Sequence, residues 1–461
     1  MVKLDSVPDE EWDALARPGV DAVWLMGVWD RSPAGRVISL QKPDLLAEYT
    51  RALPGWQPED VPGSPYCIHA YSVDAHLGGP QGLAAARSEL ARRGLRLLVD
   101  FVPNHTAPDH PWVLAHPERY INGTAEDLER DPQSFLNAGG HVIACGRDPY
   151  FPAWTDTAQV NAFHPAYRQA AVETLRDIAG QADGVRCDMA MLLINSIFQR
   201  TWGARAGAVP SVEFWRGVIG AVKDTDPDFL FIAEAYWDLE WELQQQGFDY
   251  CYDKRLYDRL EHEGPPSVRG HLNAGLDYQD RLIRFIENHD EPRAQATFGP
   301  DRHRIAAATI LTLPGALLLH ENQSEGYRVK LPVQLGRRPA EVPDEDLRRF
   351  YDAILPAGRR EGLRDAAWAQ CVTSGWPDNS SHENLLAWCW RGASERLLVV
   401  LNASAASVQA RVHVPWDDLD GRTWELRDAW TGNIFERDGG ELQRDGLYVD
   451  LGPWCGHVLL F

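Results

Sequence analysis

The stretch GVRCDM (184–189) sets Arg186 and Asp188 two residues apart in an apolar run that reads as a buried strand, so both charges point to one side of it. Burying such a pair costs desolvation unless something on that side offsets it, which makes this strand end a candidate site. Other apolar runs end the same way. LRLLVDFV (95–102) carries Asp100 and leads to Asn104 and His105, FLFIAEAY (229–236) carries Glu234, and LIRFIEN (282–288) runs into Asn288, His289 and Asp290. Carboxylates, an arginine and histidines are groups for acid–base and nucleophilic work. Singly, each motif fits a plain structural role at least as well, and Asp100, Asn104, His105 and the 288–290 stretch fit one better: a capped strand end, a satisfied loop polar, an ion pair. Jointly they ask for a scaffold that gathers strand ends.

Seven short apolar runs, at 21–27, 95–102, 183–189, 229–236, 248–253, 282–288 and 316–320, are mostly separated by amphipathic stretches such as LAAARSELARRG (83–94) and PAYRQAAVETLRDIAG (165–180). Apolar strands alternating with helices predict an α/β fold with a helix-covered parallel sheet, and a TIM-type (β/α) barrel is the leading architecture. In such a barrel the carboxyl ends of the strands converge on one mouth. The connection from 106 to 160, rich in Pro, Gly, His and Trp, is too long for an ordinary βα loop and predicts an inserted subdomain. The apolar stretch 305–319 is broken by Pro314 and Gly315, is too short for a bilayer, and predicts a core helix running into a strand. After about residue 365 short alternating strands follow, at 396–404, 408–414, 423–430 and 447–452, with turn signals between them. The expected organisation is a barrel over 1–105 and 161–360, a small inserted subdomain over 106–160, and a C-terminal antiparallel β-sandwich domain over 365–461.

Composition narrows the partners. The chain has 461 residues, 44% of them hydrophobic, enough for a large core. Its net charge is −22, with dispersed acidic residues and no Lys/Arg-rich tract, which argues against nucleic acid and anionic membrane. Seven scattered cysteines lack metal-binding spacing and read as mostly buried thiols in a reducing compartment. The N-terminal MVKLDSVPDEEWDAL is acidic, helical in pattern and without an apolar h-region, so a cytoplasmic location is expected.

In order, DFVPNH (100–105), VRCD (185–188), AE (233–234) and NHD (288–290), each at the end of an expected strand, resemble the four short regions shared by the α-amylase superfamily of retaining α-glycosidases and transglycosidases. The resemblance covers nearly the whole chain, since the barrel, the insert after the third strand and the terminal β domain fit as well. Retaining glycosidases use one carboxylate as nucleophile and a second as acid and then base, roughly 5 to 5.5 Å apart. Matching positions implies Asp188 as nucleophile, Glu234 as general acid/base, and Asp290 as a third catalytic carboxylate gripping the 2-OH and 3-OH of the glucosyl unit. Arg186 is implied to keep Asp188 ionised and in place, because a positive neighbour favours a carboxylate's charged form. His105 and His289 are implied to hydrogen-bond the same ring, and Tyr66, in SPYCIHAY (64–71), to lie under it as an aromatic platform. Asp100 and Asn104 are supporting residues behind these. The resemblance implies no metal and no other cofactor; the partner is an α-glucan or oligosaccharide substrate.

Departures from the family pattern matter too. Met191 and Leu192 stand where many members carry a Lys-His pair that contacts the next sugar and helps hold a structural Ca²⁺. Ala158 stands where a calcium-binding aspartate often lies, so that site is expected to be dismantled although Asn104 and Asp156 remain. ENQSEG (321–326) and Ala70 alter the pocket rim and leave the substrate open. VPDEEWDALARPGVDAVWL reads as the first helix leading into the second strand, which gives seven barrel strands and a gap between 21–27 and 316–320. An unpaired seam exposes backbone groups and invites self-association, so a homo-oligomer is among the expectations. The implied function is a retaining enzyme acting on α-glucosidic bonds of small α-glucans or oligosaccharides by double displacement through a β-glycosyl-enzyme. A transglycosidase, glucosyl phosphorylase or isomerase of the same superfamily is the first alternative, and a catalytically silent carbohydrate-binding or scaffold homologue the second.

Overall fold

Parallel strands need both faces covered, and the buried runs of this chain form them. The computed structural model describes residues 2–363 and 365–461, whose compact units are two: one of 2–252 with Leu331–Pro339, and one that draws on Asp253–Lys330 and Ala340–Phe461.

In the first unit five parallel strands pair in the order Ala22–Trp24, Arg96–Phe101, Gly184–Cys187, Leu230–Ala233, Tyr250–Tyr252. Every residue of Arg96–Phe101 but the first is buried, as is all of Gly184–Cys187, which is why these runs are continuously apolar rather than alternating. Gly184 is demanded by close approach, because a Cβ there would lie 2.7 Å from the Leu230 carbonyl oxygen and 2.8 Å from Leu98 Cδ2. The expected helices are present at Gly79–Arg92 and Pro165–Ala179. The second starts with His164 accepting from the Ala166 N–H and Pro165 in the first turn, and buries Tyr167, Ala170, Ala171, Thr174, Leu175 and Ile178 along one stripe. No strand precedes Ala22 among the described residues: Leu4–Ser6 is a 3-10 turn and Asp9–Leu15 a helix. Between His105 and Gln159 the chain forms short helices at Pro111–Ala115 and Ala125–Arg130 and a hairpin of Phe135–Ala138 with His141–Ala144. It then closes on itself where Ala158–Gln159 pairs antiparallel with His105–Thr106.

The second unit contains a parallel pair, Leu282–Arg284 with Ala316–Leu317. The apolar stretch before the latter is a helix, Gly299–Thr312, and the expected break follows it. Gly315 has φ +89° and a Cβ there would meet the Leu282 carbonyl oxygen at 2.5 Å, so only glycine fits the turn. Two antiparallel sheets follow. One runs Ala367–Gln370, Leu385–Arg391, Arg396–Asn402, Gly456–Leu460, Thr423–Asp428, Ile434–Asp438; the other runs Val372–Ser374, Val408–His413, Leu447–Leu451. Thr423–Asp428 and Leu447–Leu451 alternate strictly between exposed and buried, and the inward residues build a core around Leu398, Val400, Leu426 and Val449. No helix among the described residues is long and apolar enough to cross a membrane.

Candidate active site

Asp188 follows directly on the Gly184–Cys187 strand, and Glu234 on Leu230–Ala233, two strands that are hydrogen-bonded neighbours. The pairing continues past the strand ends, since Asp188 N–H donates to the Phe101 carbonyl at 2.9 Å and Glu234 N–H to the Cys187 carbonyl at 3.0 Å. Arg186 joins the two carboxylates. Its Nη1 donates to Asp188 Oδ1 at 2.8 Å, and its Nη2 makes an ion pair with Glu234 Oε2 at 2.9 Å.

All three groups are buried, with Arg186 only 1% exposed. Burial works against the guanidinium charge, but Glu234, Tyr66, Tyr252 and Asp188 around it outweigh that and raise its pKa well above the ordinary arginine value. Three aromatic rings pack about the same guanidinium, those of Tyr66, Trp24 and Tyr252, at 5.3, 5.4 and 5.7 Å from their centroids.

Immediately after Asp188 the backbone turns left-handed at Met189, φ +42°. This turns the Met189 N–H onto Glu234 Oε2 at 2.5 Å, while the Tyr236 hydroxyl donates to Glu234 Oε1 at 2.9 Å. The Glu234 carboxylate thus has a backbone donor, a phenol and an arginine around its two oxygens. Sequence reading missed Met189 and Tyr236. Tyr236 was accessible in principle, because a residue two after Glu234 in extended chain lies on the same side. The left-handed turn carried no signal, since methionine has no preference for that conformation.

Asp100 is fully buried behind them, in register with Arg186, and accepts from Trp24 Nε1 at 3.2 Å and from the Gly27 N–H at 2.9 Å. His105 Nε2 lies 3.2 Å from the Tyr66 carbonyl oxygen and its ring meets Trp154 edge-on; desolvation pushes its pKa down to about 4. Asn104 forms a mutual amide pair with Gln159, which donates to Asn104 Oδ1 at 3.0 Å and accepts from its Nδ2 at 3.3 Å. Lys42 Nζ lies 3.6 Å from Asp156 Oδ1. Among the described residues no group of three or more His, Cys, Asp or Glu side chains is placed to hold a metal ion.

In the second unit Asn288 Oδ1 accepts from the N–H groups of Asp290 and Glu291 at 2.8 and 2.9 Å, an Asx turn that fixes the chain after the Leu282–Arg284 strand. His289 is buried and its Nε2 pairs with Asp290 Oδ2 at 2.9 Å, while the Asp290 side chain is 43% exposed. The Lys330 ammonium donates to the Asp290 carbonyl oxygen.

Comparison with known proteins bears on this arrangement. The chain is 28% identical over 440 residues to alpha-amylase MalA of Haloarcula japonica, a match that covers 92% of this chain and 56% of that protein. It is 29% identical over 406 residues to alpha-1,4-glucan:maltose-1-phosphate maltosyltransferase 1 of Streptomyces coelicolor, covering 81% of this chain and 53% of that protein. The chain is thus similar in sequence to α-amylases and to maltosyltransferases. No family model matches it. The chain spans little more than half the length of those two curated proteins. Among solved structures, the Geobacillus thermoleovorans alpha-amylase complexed with acarbose superposes with a TM-score of 0.69 at 17% identity, covering 99% of this chain and 92% of that one. The maltogenic alpha-amylase AmyB of Thermotoga neapolitana gives 0.68 at 18% identity, with 98% and 93% covered. The fold of this chain is therefore the one these structures share, a TIM-type (β/α) barrel with a C-terminal antiparallel β domain.

Proposed function

We propose that this protein is a retaining α-glycosidase that cleaves α-glucosidic bonds of small α-glucans or oligosaccharides by double displacement. The observation that carries the reading is the Arg186 guanidinium in contact with both Asp188 and Glu234 on adjacent strand ends. In the first step an Asp188 carboxylate oxygen bonds to the anomeric carbon as the glycosidic C–O bond breaks, and Glu234 gives its proton to the departing oxygen. In the second, ionised Glu234 takes a proton from water, whose oxygen displaces Asp188 and restores the enzyme. Arg186 steadies Asp188 as an anion, the form that attacks. Asp290 and His289, assigned from the family pattern, bind sugar hydroxyls; Tyr66 and His105 flank the sugar, and Asp100 and Asn104 hold the walls.

Two variants test this against an aryl α-glucoside. Asp188→Ala is expected to lose at least about 10³-fold in kcat/KM, and equal turnover by wild type and variant would remove the catalytic claim and leave a silent binding or scaffold protein. Glu234→Gln is expected to release an activated aryl group in a rapid burst and then stall, because water attack lacks its base.

The maltosyltransferases among the relatives favour a second reading, in which a sugar hydroxyl or a phosphate oxygen replaces water in the second step. Incubation with maltotriose, with and without phosphate, separates them by chromatography. Longer glucans mark transfer, and a sugar phosphate made only with added phosphate marks phosphorolysis.

A further inference from the structure

Paired parallel strands hold their register for a few residues past the last ladder bond. Arg284 is in register with Leu317, and the same register carried three residues on sets Glu287 beside His320. Glu287 Oε1 and His320 Nδ1 lie 3.0 Å apart there. Glu287 is fully buried, and a buried carboxylate needs a counter-charge and donors around both oxygens. It takes them from the chain just beyond itself. Arg293 Nε makes an ion pair with Oε1 at 3.0 Å, and the Ala294 N–H donates to Oε2 at 2.7 Å, at the start of the short Ala294–Thr297 helix. Arg293 in turn reaches the neighbouring strand end, with Nη1 3.1 Å from His320 Nδ1 and Nη2 donating to the Glu321 carbonyl at 2.6 Å.

Residues 288 to 293 therefore leave Glu287 and return to its carboxylate, a loop closed at its base by one side chain. His289 and Asp290 are at the tip. The Asp290 side chain is exposed, so its place is set more by the backbone beneath it than by packing. That backbone is gripped near the tip by the Asn288 turn, by Lys330 on the Asp290 carbonyl, and by Lys254, whose Nζ lies 3.2 Å from Glu291 Oε1. Glu287 fixes the base. An apolar residue at 287 would fill the same space, and burying an ion pair is a poor route to stability. A carboxylate bonded to the returning end of the loop that it begins is an arrangement for placement.

We propose that Glu287 is a positioning residue for Asp290. Buried at the loop's base, it acts through the loop it closes and sets where the Asp290 carboxylate meets sugar hydroxyls. The role of Asp290 rests on the glycosidase reading above; the closure of the loop by Glu287 does not.

Two measurements on the full chain test it, and the first makes no use of activity. In hydrogen–deuterium exchange, segment 288–293 of Glu287→Gln, which keeps the shape and drops the charge, is expected to exchange at least about tenfold faster than in the wild type, with the Leu282–Arg284 strand unchanged. Equal exchange overturns the proposal whatever the enzyme does. The second is kinetic. Hydrogen bonds to the sugar 2-OH strengthen in the transition state, so displacing Asp290 costs kcat more than KM. Glu287→Gln is expected to lower kcat on an aryl α-glucoside by about tenfold, and to cost less than about twofold where Asp290→Asn is already present, since both act through one group. The same loss in both backgrounds would make Glu287 a structural residue only and overturns the proposal. If Asp290→Asn by itself leaves kcat/KM unchanged, it is the assignment of Asp290 in the glycosidase reading that falls, and the exchange measurement still decides whether Glu287 holds the loop. Should Glu287→Gln unfold, Arg293→Lys keeps a counter-charge but cannot reach Glu287 and the Glu321 carbonyl together. The same exchange and kcat changes are expected of it, and their absence overturns the proposal equally.

Discussion

The Tyr236 hydroxyl donates to Oε1 of Glu234 at 2.9 Å, from the same stretch of chain and two residues on. A hydrogen bond given to a carboxylate favours its charged form. In the proposed mechanism Glu234 must hold a proton in the first step and be free of it in the second. Deleting the hydroxyl by Tyr236→Phe is expected to lower kcat by about tenfold, with KM little changed. A kcat equal to that of the wild type would show the hydroxyl to be a structural contact only.

Arg186→Met is expected to cost stability as well as activity. The substitution leaves Asp188 and Glu234 buried without their shared counter-charge, and breaking a buried ion pair on one side costs about 3–5 kcal/mol. Urea unfolding measures it. Adding Asp188→Asn and Glu234→Gln should return most of the loss, since no charge is then left unpaired; an equal loss in both backgrounds would mean that packing of Arg186 against Trp24, Tyr66 and Tyr252 is what matters.

Much of this was legible in the chain because buried parallel strands announce themselves. A charge inside an apolar run, as at Arg186, Asp188 and Glu234, has few reasons to be there. The strand lengths were overread: DAVWLMG yields only Ala22–Trp24 and ALLLH only Ala316–Leu317, because apolarity reports burial and not ladder pairing. In the C-terminal region four strands were read in place and five others, including Leu385–Arg391 and Gly456–Leu460, were not. LLAWCWR is almost wholly buried and so lacks the alternation that marks a half-exposed strand. The donors around Glu234 depend on a left-handed methionine, which no pattern of polarity encodes.

Dialysis against EDTA is expected to leave activity and Tm unchanged. The two residues at the positions where the resemblance led to the expectation of calcium ligands, Asn104 and Asp156, are otherwise engaged: the Asn104 amide is closed against Gln159, and Lys42 stands 3.6 Å from Asp156, an ammonium beside that carboxylate. Inactivation by EDTA that is reversed by Ca²⁺ would refute this.

His303 predicts how stability changes with pH. It is fully buried, with Nδ1 2.8 Å from Gln295 Oε1 and Nε2 2.8 Å from the Tyr351 hydroxyl. Desolvation, aided by the Arg304 and Arg293 charges, pushes its pKa from 6.5 down to about 3. The unfolded chain therefore takes up a proton on this ring below pH 6.5, whereas the folded chain does so only near pH 3. Between those values the unfolded state binds more protons, so stability falls as pH falls, by up to about 1.4 kcal/mol per pH unit for this one group. His110, pushed down to about 4 by desolvation and by its neighbour His69, acts in the same direction over a narrower window. In His303→Gln, urea unfolding across pH 4 to 7 is expected to show lower stability at pH 7 but a shallower decline toward pH 4, because the substituted side chain has no proton to gain. The same slope in variant and wild type would mean that His303 is already charged in the folded protein, and that the Gln295 and Tyr351 contacts do not hold it neutral.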